Sequence, residues 1–129
     1  MKILLVSTYE LGHQPLGLAW PAAVLRGRGH EVVCVDLAVG PPELSAFADA
    51  GLIAISVPMH TASRLGVELA RRVRRLNPAA HLAFYGLYAT PLYDYLVRSR
   101  LADSVIGGEY EVALATLADR LAAGEYDPH

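Results

Sequence analysis

Short apolar runs of strand length alternate in this sequence with segments whose apolar residues recur at helical spacing. The runs are 2–7 (KILLVS), 31–36 (EVVCVD), 52–57 (LIAISV), 81–85 (HLAFY) and 103–106 (DSVI). The helical patterns that follow them span 16–28, 41–49, 62–76, 90–100 and 109–123. The first, third and fourth runs are almost wholly apolar, as strands buried on both faces of a parallel sheet must be. With right-handed crossovers, this alternation predicts an α/β, doubly wound, five-stranded parallel sheet of flavodoxin-like type, with strand order 2-1-3-4-5 and helices on both faces. One domain over 1–124 accounts for it, and 125–129 read as a tail or the start of a linker.

Local signals place the boundaries. Gly29 ends the first helix, and Pro21 belongs in or near its first turn, because an interior proline breaks a helix. In the long third helix the apolar positions 62, 65, 69, 73 and 76 form the buried stripe, and Arg71, Arg72, Arg74 and Arg75 form a solvated face. Glu109 and Glu111 fall in the first turn of the last helix. Cys34, inside a strand pattern, reads as a small core residue. His30 and His81 sit at strand beginnings, away from the loops that carry function, and read as structural; His129 is terminal.

Composition removes whole classes of function. Apolar residues make up 53% of the chain and the mean hydropathy is +0.31, enough for a real core. A formal charge of -2 gives no general pull toward nucleic acid or anionic membrane. The single cysteine excludes an internal disulfide, a cysteine-based zinc site and an iron–sulfur cluster within these residues. No apolar run approaches the ~20 residues of a membrane helix, and the start MKILLVS lacks signal-peptide features, so the chain reads as cytoplasmic.

Sheets of this kind bind ligands beyond the C-terminal ends of their strands, beside the switch point between the first and third. The loops there are 8–15, 37–41, 57–61, 86–89 and 107–108. The first holds His13 and Gln14 but neither GxGxxG nor GxxxxGK[ST], which leaves dinucleotide binding poorly supported and excludes a P-loop. His13 is a metal ligand, a hydrogen-bonding group, a general base or a solvated loop histidine. The third loop carries Ser56, Met59, His60 and Thr61, and His60 or Thr61 suits a helix cap. A receiver domain would need aspartates where Ser56–Pro58 and Ser7–Tyr9 stand. In the fourth loop Gly86 permits a close approach, and Tyr85 and Tyr88 are either pocket walls or packing. Gly107 and Gly108 before the last helix are an anion cradle or plain turn glycines. Asp36 suits a ribose contact or a turn. No Ser/His/Asp arrangement and no HExxH is present.

The order of these segments carries a resemblance. An LGLA…GHEV stretch follows the first strand, an IS pair ends the third, YGLYAT stands in place of a GGxHAT segment and GGEYE in place of GExE. Together they resemble the N-terminal cobalamin-binding-like domain of cobalamin-dependent radical SAM proteins over residues 1–122, with wording closest to the CUAEP/CCAEP-tail subgroup. The resemblance implies a corrinoid-binding module whose cofactor contacts are His13, Gln14, Ser56, Met59, His60, Gly86, Leu87, Tyr88, Gly108 and Glu109, with His13 as a candidate cobalt ligand. It also implies a radical SAM barrel, in cis or in trans, that carries the CxxxCxxC cluster this chain lacks. An exposed apolar strip along 8–15 and 86–89 is then expected. The chain departs from the DxHxxG, SxL and GG pattern of cobalamin domains in three places. The His13–Gly17 spacing is one residue longer, Pro58 replaces the leucine, and Tyr85 replaces the first glycine, where a tyrosine crowds the slot for the nucleotide tail. Two other readings stand beside this one: a degenerate interaction domain of a radical SAM protein that binds no cobalamin, and the N-terminal half of a glycosyltransferase.

Overall fold

A computed structural model describes residues 1–8, 16–37, 44–58, 60–108 and 110–124, with residues 16, 17, 44, 60 and 61 described in backbone only. The elements are β1 (Lys2–Ser7), α1 (Leu16–Gly27), β2 (Glu31–Asp36), α2 (Leu44–Ala48), β3 (Leu52–Ser56) and α3 (His60–Leu76). They continue with β4 (His81–Tyr85), a 3-10 turn (Thr90–Leu92), α4 (Tyr93–Arg98), β5 (Ser104–Ile106) and α5 (Glu111–Ala122). All five strands pair in parallel in the order β2-β1-β3-β4-β5, the predicted doubly wound sheet.

Alternation along the strands divides the core in two. Leu4, Val6, Ile53, Ile55, Leu82 and Phe84 face a layer that includes Phe47 of α2, Leu69 and Val73 of α3 and Leu96 of α4. Ile3, Leu5, Leu52, Ala54, Ala83 and Tyr85 face Leu18, Ala22 and Leu25 of α1 and Leu114, Ala115 and Ala118 of α5. β3 and β4 are buried along their whole length, which is why their sequences lack polar alternation. Helix α3 lies close to the sheet because Gly66 has no side chain: a Cβ there would stand 3.1 Å from Ile55 Cγ2 and 3.3 Å from the Phe84 ring.

Four expectations are corrected. Cys34 is exposed, because β2 is an edge strand covered less fully than β3 and β4. Pro21 lies in the second turn of α1 rather than the first, buried and four residues after Gly17. On α3 the buried stripe runs through Ala62, Gly66, Leu69, Ala70 and Val73, while Leu65 and Leu76 are exposed, since both sit off the line that faces the sheet. The four arginines are not one solvated face. Arg74 donates to the carbonyls of Ala80 and Arg100 at 3.2 Å and to Asp103 at 2.8 Å, and Arg71 donates to the Tyr95 hydroxyl.

Buried polar groups knit the N-terminal edge of the sheet. Asn77, 8% exposed, donates through Nδ2 to the carbonyls of Phe47 (2.8 Å) and Ala50 (2.9 Å), which ties the end of α2 to the end of α3. His30 bonds Asp119 at 2.8 Å, and together with Arg28 it holds that carboxyl below the usual carboxylate range, pinning α5 to the turn after α1. The structural reading of His30 and His81 agrees with these contacts: His81 Nε2 lies 2.7 Å from Ser104 Oγ, bridging β4 and β5.

Two outcomes follow. Asn77→Ala strands two carbonyls and should cost about 2–3 kcal/mol in urea unfolding. Burial lowers the His81 pKa from the ordinary 6.5, so the unfolded chain takes up its proton first as pH falls. The stability that neutral His81 provides is therefore complete above pH 6.5 and is lost as pH drops toward the lowered value. Thermal melts across that window should show a smaller pH slope for His81→Gln than for the natural chain; equal slopes would refute this assignment.

Candidate functional site

The site is built by strand ends. The last residues of β1, β3 and β4, Ser7, Ser56 and Tyr85, are direct partners in the sheet register. Strand alternation puts all three on the face covered by α1 and α5, continuing the rows of Leu5, Ala54 and Ala83. Ser7 is 1% exposed, Ser56 3% and Tyr85 0%. The Ser7 Oγ is buried and has no hydrogen-bond partner among the described residues, a rarity in a folded protein. It stands where β1 and β3 send their connections to opposite faces, the switch point of this topology. Thr8 turns to the other face, where its hydroxyl donates to the Ala62 carbonyl at 3.2 Å and ties the end of β1 to α3.

The loop after β4 is held rigidly. Val57 N–H donates to Tyr85 O at 2.8 Å, Tyr88 N–H to Val57 O at 3.0 Å, and Gly86 N–H to Ile106 O at 3.2 Å. Gly86 adopts φ +111°, and a Cβ on it would stand 3.2 Å from the Val57 carbonyl oxygen, so only glycine brings this loop so close to the end of β3. Leu87 is 75% exposed and Tyr88 37%. Of the apolar strip expected along 8–15 and 86–89, these two are exposed while Thr8, Gly86 and Ala89 are buried, and 9–15 lie outside the described residues. The Tyr85 ring turns inward and packs on Tyr110, with centroids 4.7 Å apart and planes tilted by 52°. Tyr85 is thus core and Tyr88 surface, rather than two walls of one pocket.

The edge brings together Ser56, Gly86, Leu87 and Tyr88, and β5 delivers Gly108 (φ +65°) beside them through the Gly86–Ile106 bond. His60 is the first residue of α3 and Thr61 the second, so both lie inside the helix rather than at its cap; their side chains are outside the described residues. His13, Gln14, Met59 and Glu109 also lie outside the described residues. Sequence reasoning missed Ser7 and Tyr110 as parts of the site. The signal for Ser7 was available: it is a hydroxyl at the end of an otherwise apolar run, with the same parity as Ile3 and Leu5. Among the described residues no three His, Cys, Asp or Glu side chains group closely enough to hold a metal ion, and no helix is long and apolar enough to cross a membrane.

Residues 2–118 match the B12 binding domain family. Among solved structures, the radical S-adenosylmethionine methyltransferase TsrM from Kitasatospora setae, determined with tryptophan substrate and a SAM analog bound, superposes with a TM-score of 0.80 at 20% identity. That match covers 97% of this chain and 26% of the enzyme, so the chain spans about a quarter of its length. A CheY-like response regulator receiver domain protein from Methanospirillum hungatei JF-1 gives a TM-score of 0.67 at 18% identity, covering 96% of this chain and 95% of that one. A response regulator from Thermotoga maritima gives 0.65 at 16% identity, covering 95% and 98%. At such identities the structural likenesses show the fold alone. No curated protein matches the chain.

The unpartnered hydroxyl yields a prediction about the free protein. Ser7→Ala removes a buried group that has lost water and gained nothing, so it should stabilise the ligand-free chain by about 1–2 kcal/mol in denaturant unfolding. A destabilised variant would show that the Ser7 hydroxyl is satisfied in solution.

Proposed function

The chain belongs to the B12 binding domain family, and from that premise we propose that it is a cobalamin-binding module that presents the cofactor to a radical SAM catalytic domain, in cis or in trans. The observation that carries the reading is the match over residues 2–118 onto a fold whose C-terminal edge holds a buried hydroxyl with no partner among the described residues. The likeness to TsrM, whose name joins a methyltransferase to radical SAM chemistry, supports the choice of partner.

The described residues suit such a ligand. A large planar group with polar atoms needs bare backbone to lie against, a few buried donors and apolar cover. Gly108, exposed with nothing within 4 Å of where a Cβ would stand, leaves backbone uncovered, Ser7 and Ser56 supply hydroxyls at the edge, and Leu87 and Tyr88 offer exposed apolar surface. In this reading Ser7 and Ser56 donate to polar atoms of the nucleotide tail, and Gly86, Leu87, Tyr88 and Gly108 line its entry. His13, Gln14, Met59, His60 and Glu109 complete the contacts from the neighbouring loops, with His13 as the candidate cobalt ligand. When bound, the corrinoid supplies methyl-group transfer at cobalt. The chain's own work is to bind, orient and keep water from one face, which makes it an accessory domain to catalysis performed by its partner.

One observation favours a second reading. Tyr85 fills space on the same face as Ser7 and Ser56 and is locked there by Tyr110. A domain plugged in this way would serve as an interaction or substrate-covering module without cobalamin.

Gel filtration after incubation with hydroxocobalamin separates the two readings. We expect corrin absorbance to co-elute with the protein and the fluorescence of Trp20, the sole tryptophan and 67% exposed, to fall on binding. Ser56→Leu, with unchanged circular dichroism, should lose at least about tenfold in affinity, the effect of ~1.4 kcal/mol. A colourless protein peak would reject the cofactor-binding reading in favour of the second, and full retention by Ser56→Leu would remove that residue from the contacts.

A further inference from the structure

A groove of about 440 Å³ opens on the flank of the molecule between α3 and α4, beside the strand-end edge rather than over it. Its volume is within the range of small-ligand clefts, roughly 300–1,000 Å³. One wall is α3, with Arg64, Glu68 and Arg71; the other is the segment after β4, with Tyr88, Leu92 and Tyr95. We propose that this groove binds an α-amino acid with a large apolar side chain, held as its zwitterion.

The argument rests on how the charges are distributed. Arg71 is committed: it donates to the Tyr95 hydroxyl and its guanidinium stands 6.0 Å from the centre of the Tyr95 ring. That contact fixes the tyrosine as a wall. Arg64 and Glu68 are not committed. They sit one helical turn apart on α3, both line the groove, and neither makes a hydrogen bond or ion pair among the described residues, not even with the other. An opposite pair at this spacing lies about 5–6 Å apart at Cβ. An α-amino acid carries its own opposite pair on one carbon. Its carboxylate meets Arg64, its ammonium meets Glu68, and its side chain enters the apolar space between Tyr88, Leu92 and Tyr95. A simple carboxylate would leave Glu68 without a partner, and a simple amine would leave Arg64 without one. A zwitterion pairs with both. The site shares Tyr88 alone with the proposed cofactor contacts and stands whether or not cobalamin binds.

Isothermal titration of the full chain with L-phenylalanine tests this. Glycine, phenethylamine and 3-phenylpropionate serve as controls that lack the side chain, the carboxylate and the ammonium respectively. A dissociation constant of about 2 mM is expected for phenylalanine, from ~0.3 kcal/mol for each of its roughly 12 non-hydrogen atoms. Phenethylamine and 3-phenylpropionate should each bind about fivefold more weakly, the scale of an exposed ion pair of up to ~1 kcal/mol, and glycine more weakly still because it forfeits the apolar contact. Both charged residues are surface positions, so Arg64→Gln and Glu68→Gln keep the fold. Arg64→Gln should erase the preference for phenylalanine over phenethylamine, and Glu68→Gln the preference over 3-phenylpropionate. No binding at millimolar phenylalanine, equal binding of the four ligands, or preferences untouched by both substitutions would overturn the proposal. Because no corrinoid is present, none of these outcomes depends on the cofactor reading.

Discussion

Burial of the central strands on both faces governs this molecule. β3 and β4 have no exposed residue, and Leu4, Leu5 and Val6 of β1 are fully enclosed. A strand buried on two sides needs a helix layer on each, and right-handed crossovers then assign α1 and α5 to one layer and α2, α3 and α4 to the other. Each Leu or Ile so enclosed contributes roughly 1.5–3 kcal/mol, so this interior tolerates few exchanges. What it leaves free is the strand ends. There the chain turns outward, the side chains are no longer all apolar, and a hydroxyl such as that of Ser7 can persist in a place the core would otherwise reject.

The same reason explains what could be read from the sequence. An unbroken apolar run such as LIAIS has one physical meaning in a chain that also alternates with amphipathic helices, so the sheet order followed from pattern and handedness. Edge strands carry a weaker signal. EVVCVD resembles a core strand in composition, yet it has a neighbour on one side only, and Cys34 faces solvent. Leu65 and Leu76 show the limit of periodicity: an apolar residue one position off the contact line stays exposed. Pro21 shows another, since a proline one turn in costs a hydrogen bond that packing against the core offsets.

The site was less legible than the fold because its parts are set by contacts between distant segments. Ser56 and Gly86 could be picked out as a hydroxyl and a glycine at strand ends. That Tyr85 would turn inward rather than line a pocket depends on Tyr110, 25 residues later and packed on the same face of the sheet. The arginines of α3 carry the same lesson. Their spacing alone suits a solvated face, but Arg74 finds two carbonyls and Asp103 around the beginnings of β4 and β5, and Arg71 finds Tyr95 on α4. Only tertiary structure separates Arg74, held by the fold, from Arg64 and Arg71, which line an open groove.

These features meet at the loop after β4. Its backbone is pinned at Tyr85 and Tyr88 to Val57 and at Gly86 to Ile106. Tyr85, at the start of this loop, points into the core, and Tyr88, three residues on, points outward to the flank groove. The loop therefore faces two ways. Its inner residue closes the space beneath the strand ends, and its outer residue opens a second concavity beside α3. Tyr85 ends the strand beside Ser56, which in turn pairs with Ser7, so its ring fills space on the same face as both hydroxyls and closes the core there.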